Sequence, residues 1–495
     1  MTINNLSKSL KQNRNAVERR TVVQLHIIKR YIWDWVERNK VVFYNLSDTI
    51  WNCPELGLQE YQSSILLADH LEKNGFTVKK GVAGMPTAFI ATYGSGQPVI
   101  GFSAEYDCLP GLSQKLKNEK DPVIEGGPGH GCGHNLLGVG GIEAAIALKN
   151  AIEYFNLQGS IKVFGTPAEE ICIGKPFMAR EGLFKGVDAF LDWHPWYYNR
   201  ADYDFCNAYF SIKYHFKGKT CHGNSPWYGR SALDAAVLMG HAIEMLREHI
   251  KPGTEDVANT INYTFSNLGP EFPSVVPDRA TSWCIGRVTT TEEMEGIIKR
   301  INKCAAAAAM ATETEVEIEF ITATHEKIPN SVLAGVVHKN LQVIGSPKFT
   351  EKEHEFAKKM QREAGVPDTG LDESILPFGG GGSVVCDTSE YSWYAPYATT
   401  WITMAPANIG WHNWMVVACA GSSIGKKALD VAAKVLAVSA VDLIKNPRII
   451  EDAKKELKER LAGRIYRSII PEKVKPPLDM NRPIMEKYRH LLDTR

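Results

Sequence analysis

Ile161-Lys162-Val163-Phe164-Gly165-Thr166-Pro167-Ala168-Glu169-Glu170 couples a short β-forming run to two adjacent carboxylates, and the same pairing recurs along the chain. The apolar run has the length of a buried strand, and Thr-Pro interrupts it just before the acids. Asp107 likewise follows Val99-Ile100-Gly101-Phe102, His194 follows Ala189-Phe190-Leu191, and His412 follows Thr399 to Met404. A further run, Ala88 to Thr92, stands among them, and helical periodicity fills Gln62 to Gly75 and Leu136 to Tyr154. Strands alternating with helices predict an α/β sheet with helices on its faces. In open sheets of this kind ligands bind in the crevice beyond the carboxyl ends of the strands, so residues far apart in sequence are expected to meet in one site.

At 495 residues the chain exceeds one ordinary core, and two domains are expected, one inserted in the other. From Asn207 to His325 the pattern changes: strand (Tyr209 to Phe216), helix (Ala232 to His249), strands (Thr260 to Leu268, Thr281 to Val288), helix (Glu292 to Ala308), strand (Glu315 to Ile321). This β-α-β-β-α-β order is ferredoxin-like and complete in itself. The predicted division is therefore 1–206 and 326–495 for the first domain and 207–325 for the insertion. Two amphipathic stretches, Thr21 to Val36 and a second through Ile50, read as covering helices. Gly379 to Gly382 reads as a flexible turn, lacking the Lys-Ser/Thr that would make it a phosphate loop, and Pro471 to Pro483 as a tail wrapping the surface.

Lys+Arg and Asp+Glu both total 56, and no basic stripe is interleaved with aromatics, which argues against nucleic acid and anionic lipid and for a small-molecule partner. The ten cysteines have no paired spacing and read as reduced thiols. Met1 to Arg20 is polar, without the apolar stretch of a secretory signal or membrane span, so a cytoplasmic setting is expected.

The donor-rich segment is Gly131-Cys132-Gly133-His134-Asn135, in which a glycine between Cys and His lets the backbone aim both side chains at one ion. With the glutamate pair, His194 and His412, the chain supplies a thiolate, imidazoles and carboxylate suited to Zn²⁺ or Mn²⁺. Adjacent glutamates past a strand can point to different sides, one to metal and the other to substrate. That division is what metal-assisted hydrolysis requires: an acidified water, a carboxylate to take its proton, and the same group to protonate the leaving amine. Asp107 is a candidate to hold a ligating imidazole in its tautomer, or to bind metal directly. His130 reads as a partner of backbone groups, and His222, in the insertion, as a structural histidine or an oxyanion stabiliser.

Trp51-Asn52-Cys53-Pro54-Glu55, Glu105-Tyr106-Asp107-Cys108-Leu109, Gly129 to Gly138, and Ser225-Pro226 through Gly229-Arg230-Ser231-Ala232-Leu233-Asp234-Ala235 resemble segments of the M20 family of metallopeptidases, in its amidohydrolase branch with Cys-Gly-His. The resemblance runs from about residue 40 to 480. It implies a zinc-peptidase-like α/β catalytic domain with an inserted ferredoxin-like lid and dimerisation domain. It also implies two divalent ions, Zn or Mn, held by Cys132, His134, Glu170, His194 and His412, with Glu169 as general base and Asp107 as supporting acid. His222 matches a histidine that the partner subunit's lid offers to the site, which implies a homodimer, and a relative works beside a second hydrolase subunit. Arg287 matches an arginine on the substrate carboxylate. The implied reaction is cleavage of an N-acyl or aryl-amide amino-acid conjugate, p-aminobenzoyl-glutamate-like.

Two departures bear on the substrate. Ser274 stands in Pro273-Ser274-Val275-Val276 where relatives carry an Asn that helps grip the carboxylate, and Cys386-Asp387-Thr388-Ser389-Glu390-Tyr391-Ser392-Trp393 replaces Thr-Asp-Val-Gly-Asp-Val-Ser-Trp. The alternatives are a hydrolytic deaminase or other C–N hydrolase on the same scaffold, and a non-catalytic partner subunit. The intact Glu169 argues against the last, because a structural site needs no spare base.

Overall fold

The computed structural model describes residues 3–492. The chain opens with one helix, α1 (Ile3–Asn52), where the sequence suggested two stretches. The helix continues because neither Gly nor Pro occurs within it. Its buried stripe, Ile28, Ile32, Val36, Phe43 and Ile50, faces the core.

The elements that follow are α2 (Tyr61–Lys73), β1 (Thr77–Lys80), β2 (Phe89–Ser95), β3 (Val99–Ala104), α3 (His134–Phe155), β4 (Gly159–Gly165), α4 (Gly174–Arg180), β5 (Ala189–Trp196) and β6 (Arg200–Asp202). After the insertion come α7 (Ser331–Ile344), α8 (Glu351–Glu363), β11 (Tyr397–Thr403), α9 (Trp414–Gly421), α10 (Ser423–Lys445), α11 (Pro447–Leu461) and α12 (Arg482–Leu492). These strands form one seven-stranded sheet of order β1-β2-β4-β3-β5-β11-β6. Its centre, β4-β3-β5-β11, is parallel, and the edges β1, β2 and β6 pair antiparallel. The parallel strands are nearly continuous apolar runs because helices cover both faces. β3 is buried at every position.

The insertion comprises β7 (Ala208–Lys217), α5 (Ala232–Arg247), β8 (Thr260–Asn267), β9 (Arg279–Val288), α6 (Thr291–Ala311) and β10 (Glu315–Thr324). Its antiparallel sheet has the order β10-β7-β9-β8, the ferredoxin-like arrangement the sequence predicted. α5 and α6 start at capping side chains, Ser231 accepting from the Asp234 amide and Thr290 from the Glu293 amide. They bury Met239, Ile243, Met294 and Ile301 against Phe210, Ile212 and Tyr214 of β7.

The glycine run differs from expectation. Gly382 pairs with Phe205 in a parallel bridge, the Phe205 amide donates to the Gly381 carbonyl at 2.8 Å, and the Ser383 amide donates to Phe205. A Cβ on Gly382 would lie 2.3 Å from the Asp256 carbonyl, so the residue serves close approach rather than a flexible turn. The tail does wrap the surface: Arg180 donates to the Val474 carbonyl at 2.6 Å and Gln59 to that of Leu478 at 2.8 Å. Among the described residues no helix is long and apolar enough to cross a membrane, and all ten cysteines are free.

Candidate active site

The donors gather at the carboxyl end of the parallel strands. Cys132 and His134 flank Gly133, the N-cap of α3, whose φ of 81° lies in the region that favours glycine. Glu169 and Glu170 form a short 3₁₀ turn after β4, bounded by Ala168 (φ 58°) and Cys172 (φ 53°). His412, in the loop after β11, also has positive φ (58°). Non-glycine residues held left-handed cost about 1–3 kcal/mol each and cluster where function over-determines the backbone. His194 lies inside β5 near its end, beyond the run read as a strand.

Among the described residues four sets of three donors have their donor atoms within 4.8 Å of one another: Cys132-His134-His194, Cys132-Glu170-His412, Glu105-His134-Glu169 and Glu169-Cys386-Asp387. Cys132 belongs to the first two. Its Sγ lies 3.5 Å from His194 Nε2, and His412 Nε2 lies 3.3 Å from Glu170 Oε2. Donors of one tetrahedral zinc, at 2.0–2.3 Å from the ion, stand roughly 3.4–3.6 Å apart, so these spacings suit a shared cation. The other edges of the imidazoles are committed: His194 Nδ1 donates to the Pro195 carbonyl at 2.6 Å, and His134 Nδ1 to Asp107 Oδ1 at 2.9 Å. Both Nε2 atoms are therefore free to point at metal. The Trp411 indole donates to Cys132 Sγ at 3.2 Å, a contact that favours the thiolate.

Burial sets the direction at most of these groups, whereas Cys132 and Asp107 hold His134 well above the usual imidazole value against it. Burial pushes the Cys132 thiol up to about 12 and holds His194 down at about 3, so sulfur needs a cation to ionise and the imidazole keeps its lone pair. Glu170 is raised well above the carboxylate range by burial, as is Glu169 less strongly, with neighbouring carboxylates adding to both. Glu105 and Asp387 pair with one buried ammonium, Lys175, whose charge also reaches Asp107 and Glu169, and Glu170 stands beside those two acids. If all five acids ionise, these groups carry an excess of four negative charges, which two divalent cations would balance.

Asp107 is fully buried and works in two directions, because its Oδ2 also accepts the Glu170 amide at 3.0 Å. It thus ties one imidazole and one carboxylate of the set together. His130 Nε2 meets the Ile50 carbonyl at 3.1 Å, the backbone role read from the sequence. Lys175, at the start of α4, was not anticipated: it is fully buried, 2.7 Å from Glu105 Oε1 and 2.5 Å from Asp387 Oδ1. No local signal distinguishes it from a surface lysine.

A cavity of about 600 Å³ opens over these donors. One wall is Trp196, Trp401 and Trp411, with Trp196 and Trp411 ring centroids 4.5 Å apart. The ferredoxin-like sheet supplies Tyr209 and Arg287 to the lining, and Cys172 and Cys386 also line the space. The tryptophans were missed too, although Trp196 and Trp411 adjoin donors in sequence. His222 and Ser274 do not reach the cavity. They sit together on the exposed surface of the insertion, where the Gly223 amide donates to the Ser274 carbonyl at 2.7 Å and His222 pairs with Val275.

The sequence pattern of peptidase family M20/M25/M40 matches residues 101–282. A subunit of the p-aminobenzoyl-glutamate hydrolase of Escherichia coli (strain K12) is 33% identical over 479 residues, covering 91% of this chain and 98% of that protein. The chain belongs to the M20 peptidase family. As an M20 member it is a hydrolytic enzyme. It is also similar to Xaa-Arg dipeptidase of Mus musculus, 28% identical over 458 residues, which span 89% of this chain and 94% of that one. Two solved structures share the M20 fold. The aminobenzoyl-glutamate utilization protein from Klebsiella pneumoniae superimposes with a TM-score of 0.53 at 17% identity, over 80% of this chain and 97% of that one. A dinuclear metal-binding M20 peptidase from Bacillus subtilis does so at 0.51 and 17%, over 83% and 99%.

Proposed function

We propose that this M20 enzyme is a dinuclear, metal-dependent amidohydrolase that cleaves the amide of an N-acyl or aryl-amide amino acid. The observation that carries the reading is the pair of three-donor sets sharing Cys132, with a further glutamate, Glu169, beside them. In this reading Cys132, His134, Glu170, His194 and His412 hold two Zn or Mn ions. The ions, when bound, supply Lewis-acid polarisation of the carbonyl and acidify water. Glu169 takes the proton from the attacking water and delivers it to the amine nitrogen as the C–N bond breaks. Its burial supports that role, since a raised carboxyl accepts and returns a proton more readily near neutrality. Asp107 fixes the His134 tautomer.

Arg287 meets the substrate carboxylate in the cavity, and the tryptophan wall receives the acyl or aryl group. The carboxylate end is also the common feature of the molecules named for two relatives, p-aminobenzoyl-glutamate and an Xaa-Arg dipeptide. We take 1–206 with 326–495 as the catalytic domain and 207–325 as the lid, with His222 and Ser274 serving the site of a partner copy in a homodimer. A second hydrolase subunit is a further candidate partner, because the Escherichia coli relative is named as one subunit of its hydrolase. The free thiols suit a cytoplasmic setting.

The test is Glu169→Ala assayed on a panel of N-acyl and aryl-amide amino acids. The variant should retain both ions while losing hydrolysis by orders of magnitude, and undiminished turnover would refute the assignment. For the dimer, mixing inactive His222→Ala with inactive Glu169→Ala should restore part of the activity through hybrid sites, and no recovery despite subunit exchange would count against it.

A further inference from the structure

Glu105 has one oxygen with an evident task and one without. Its Oε1 lies 2.7 Å from Lys175 Nζ, while Oε2 lies 3.5 Å from His134 Nε2. Glu105 is 1% exposed and His134 fully buried, and neither Glu105 Oε2 nor His134 Nε2 has a hydrogen-bond partner among the described residues. The Asp107 carboxylate accepts from His134 Nδ1, which leaves Nε2 as the ring atom aimed at Glu105. His134 Nε2 faces Glu105 Oε2 and, at 3.8 Å, Glu169 Oε2. Two carboxylate oxygens converging on one imidazole edge in a dry space call for positive charge among them, and 3.5 Å is the spacing of two donors on one cation. Donors of Glu105, His134 and Glu169 fall within 4.8 Å of one another.

Resting on the metal-centre reading above, we propose that Glu105 is a sixth ligand, binding through Oε2 the divalent cation carried by His134, and that Lys175 is its positioning residue. Lys175 occupies Oε1, which leaves Glu105 a single oxygen to offer and fixes its direction. Lys175 is itself anchored by Asp387, whose Oδ1 meets its ammonium at 2.5 Å and whose Oδ2 accepts its amide at 3.3 Å. With Glu105 occupying that side of the ion, Glu169 is left free to move a proton. Carboxylate oxygen beside imidazole and thiolate suits a borderline ion of the Zn²⁺ or Mn²⁺ type.

The experiment measures metal binding without substrate. Stripped wild type, Glu105→Gln, Lys175→Met and the double variant are reloaded with Zn²⁺ or Mn²⁺ against a chromophoric chelator, with metal-edge absorption spectra counting oxygen neighbours. Glu105→Gln should weaken one of the two ions about tenfold or more, leave the other unchanged, and lose one oxygen neighbour. The double variant leaves the buried Asp387 carboxylate without its ammonium, so it should melt below Glu105→Gln while binding as weakly. If Glu105→Gln and the double variant bind both ions as wild type does and differ only in thermal stability, Glu105 is merely the counterion of Lys175 and the proposal is overturned. A wild-type chain that takes up no ion overturns both this proposal and the reading beneath it.

Discussion

Asp107→Asn preserves size and removes one charge, and its consequences follow from two contacts. Asp107 Oδ1 accepts from His134 Nδ1 at 2.9 Å and Oδ2 from the Glu170 amide at 3.0 Å, in a fully buried setting. An asparagine has one acceptor for these two donors. If its carbonyl turns to His134, its NH₂ confronts the Glu170 amide, and a buried donor left unmatched costs about 1–3 kcal/mol. If the carbonyl turns to Glu170, the NH₂ faces Nδ1, the tautomer reverses, and Nε2 carries a proton where it should present a lone pair. Loss of such a supporting carboxylate lowers metal affinity about 10–100-fold, or about 1.4–2.7 kcal/mol. Chelator competition reads the affinity and thermal melting of the stripped protein reads the fold. Metal affinity and melting temperature both equal to wild type would refute the reasoning.

Arg287→Ala should raise KM for carboxylate-bearing substrates about tenfold or more with kcat less affected, since a charged hydrogen bond contributes about 1.5–3 kcal/mol, and Arg287→Lys should rescue only in part; steady-state kinetics decide. Stripping with a chelator should abolish hydrolysis and lower Tm, and Zn²⁺ or Mn²⁺ at a hundredfold excess over Kd should return about 2.7 kcal/mol of stability; a Tm indifferent to metal contradicts this. Truncation after Ile470 removes the contacts of Leu478, Asn481 and Arg489 with Gln59, Gly57 and Glu55, whose loop abuts Ala168, so kcat should fall more than global stability, as read by kinetics beside melting. Glu353, which closes the capping box of α8 and is held at about 2 despite burial by Lys427, Ser423 and Thr350, contributes stability present above its unfolded value near 4.5 and lost as pH falls towards 2. Glu353→Gln should flatten that acid limb in a pH series of melts.

The strands and the insertion were readable because alternation and apolar runs mark buried β-structure, and the turn residues beyond them mark where donors gather. Where the sequence misleads, the cause is physical. β5 reads as ending at Leu191 because Asp192 is polar, yet the strand continues to Trp196: Asp192 accepts from the Trp193 amide and the Tyr397 hydroxyl, which lets a carboxylate sit inside a buried strand. β1, Thr-Val-Lys-Lys, is an exposed edge whose composition is that of a loop. Lys175 reads as surface because its burial depends on Asp387, 212 residues away. Cys132 and His134 could be named from the Cys-Gly-His run and Glu170, His194 and His412 from residue type and strand-end position, but that Cys132 stands in two donor sets appears only once the loops are folded together.

That shared cysteine makes the central claim directly measurable. Metal analysis with anomalous diffraction on wild type, Cys132→Ala, His194→Ala and His412→Ala should find two ions per chain in wild type, one in each histidine variant at the opposite position, and neither held tightly in Cys132→Ala. Two ions undisturbed in Cys132→Ala, or ions lodged away from these five side chains, would contradict the account.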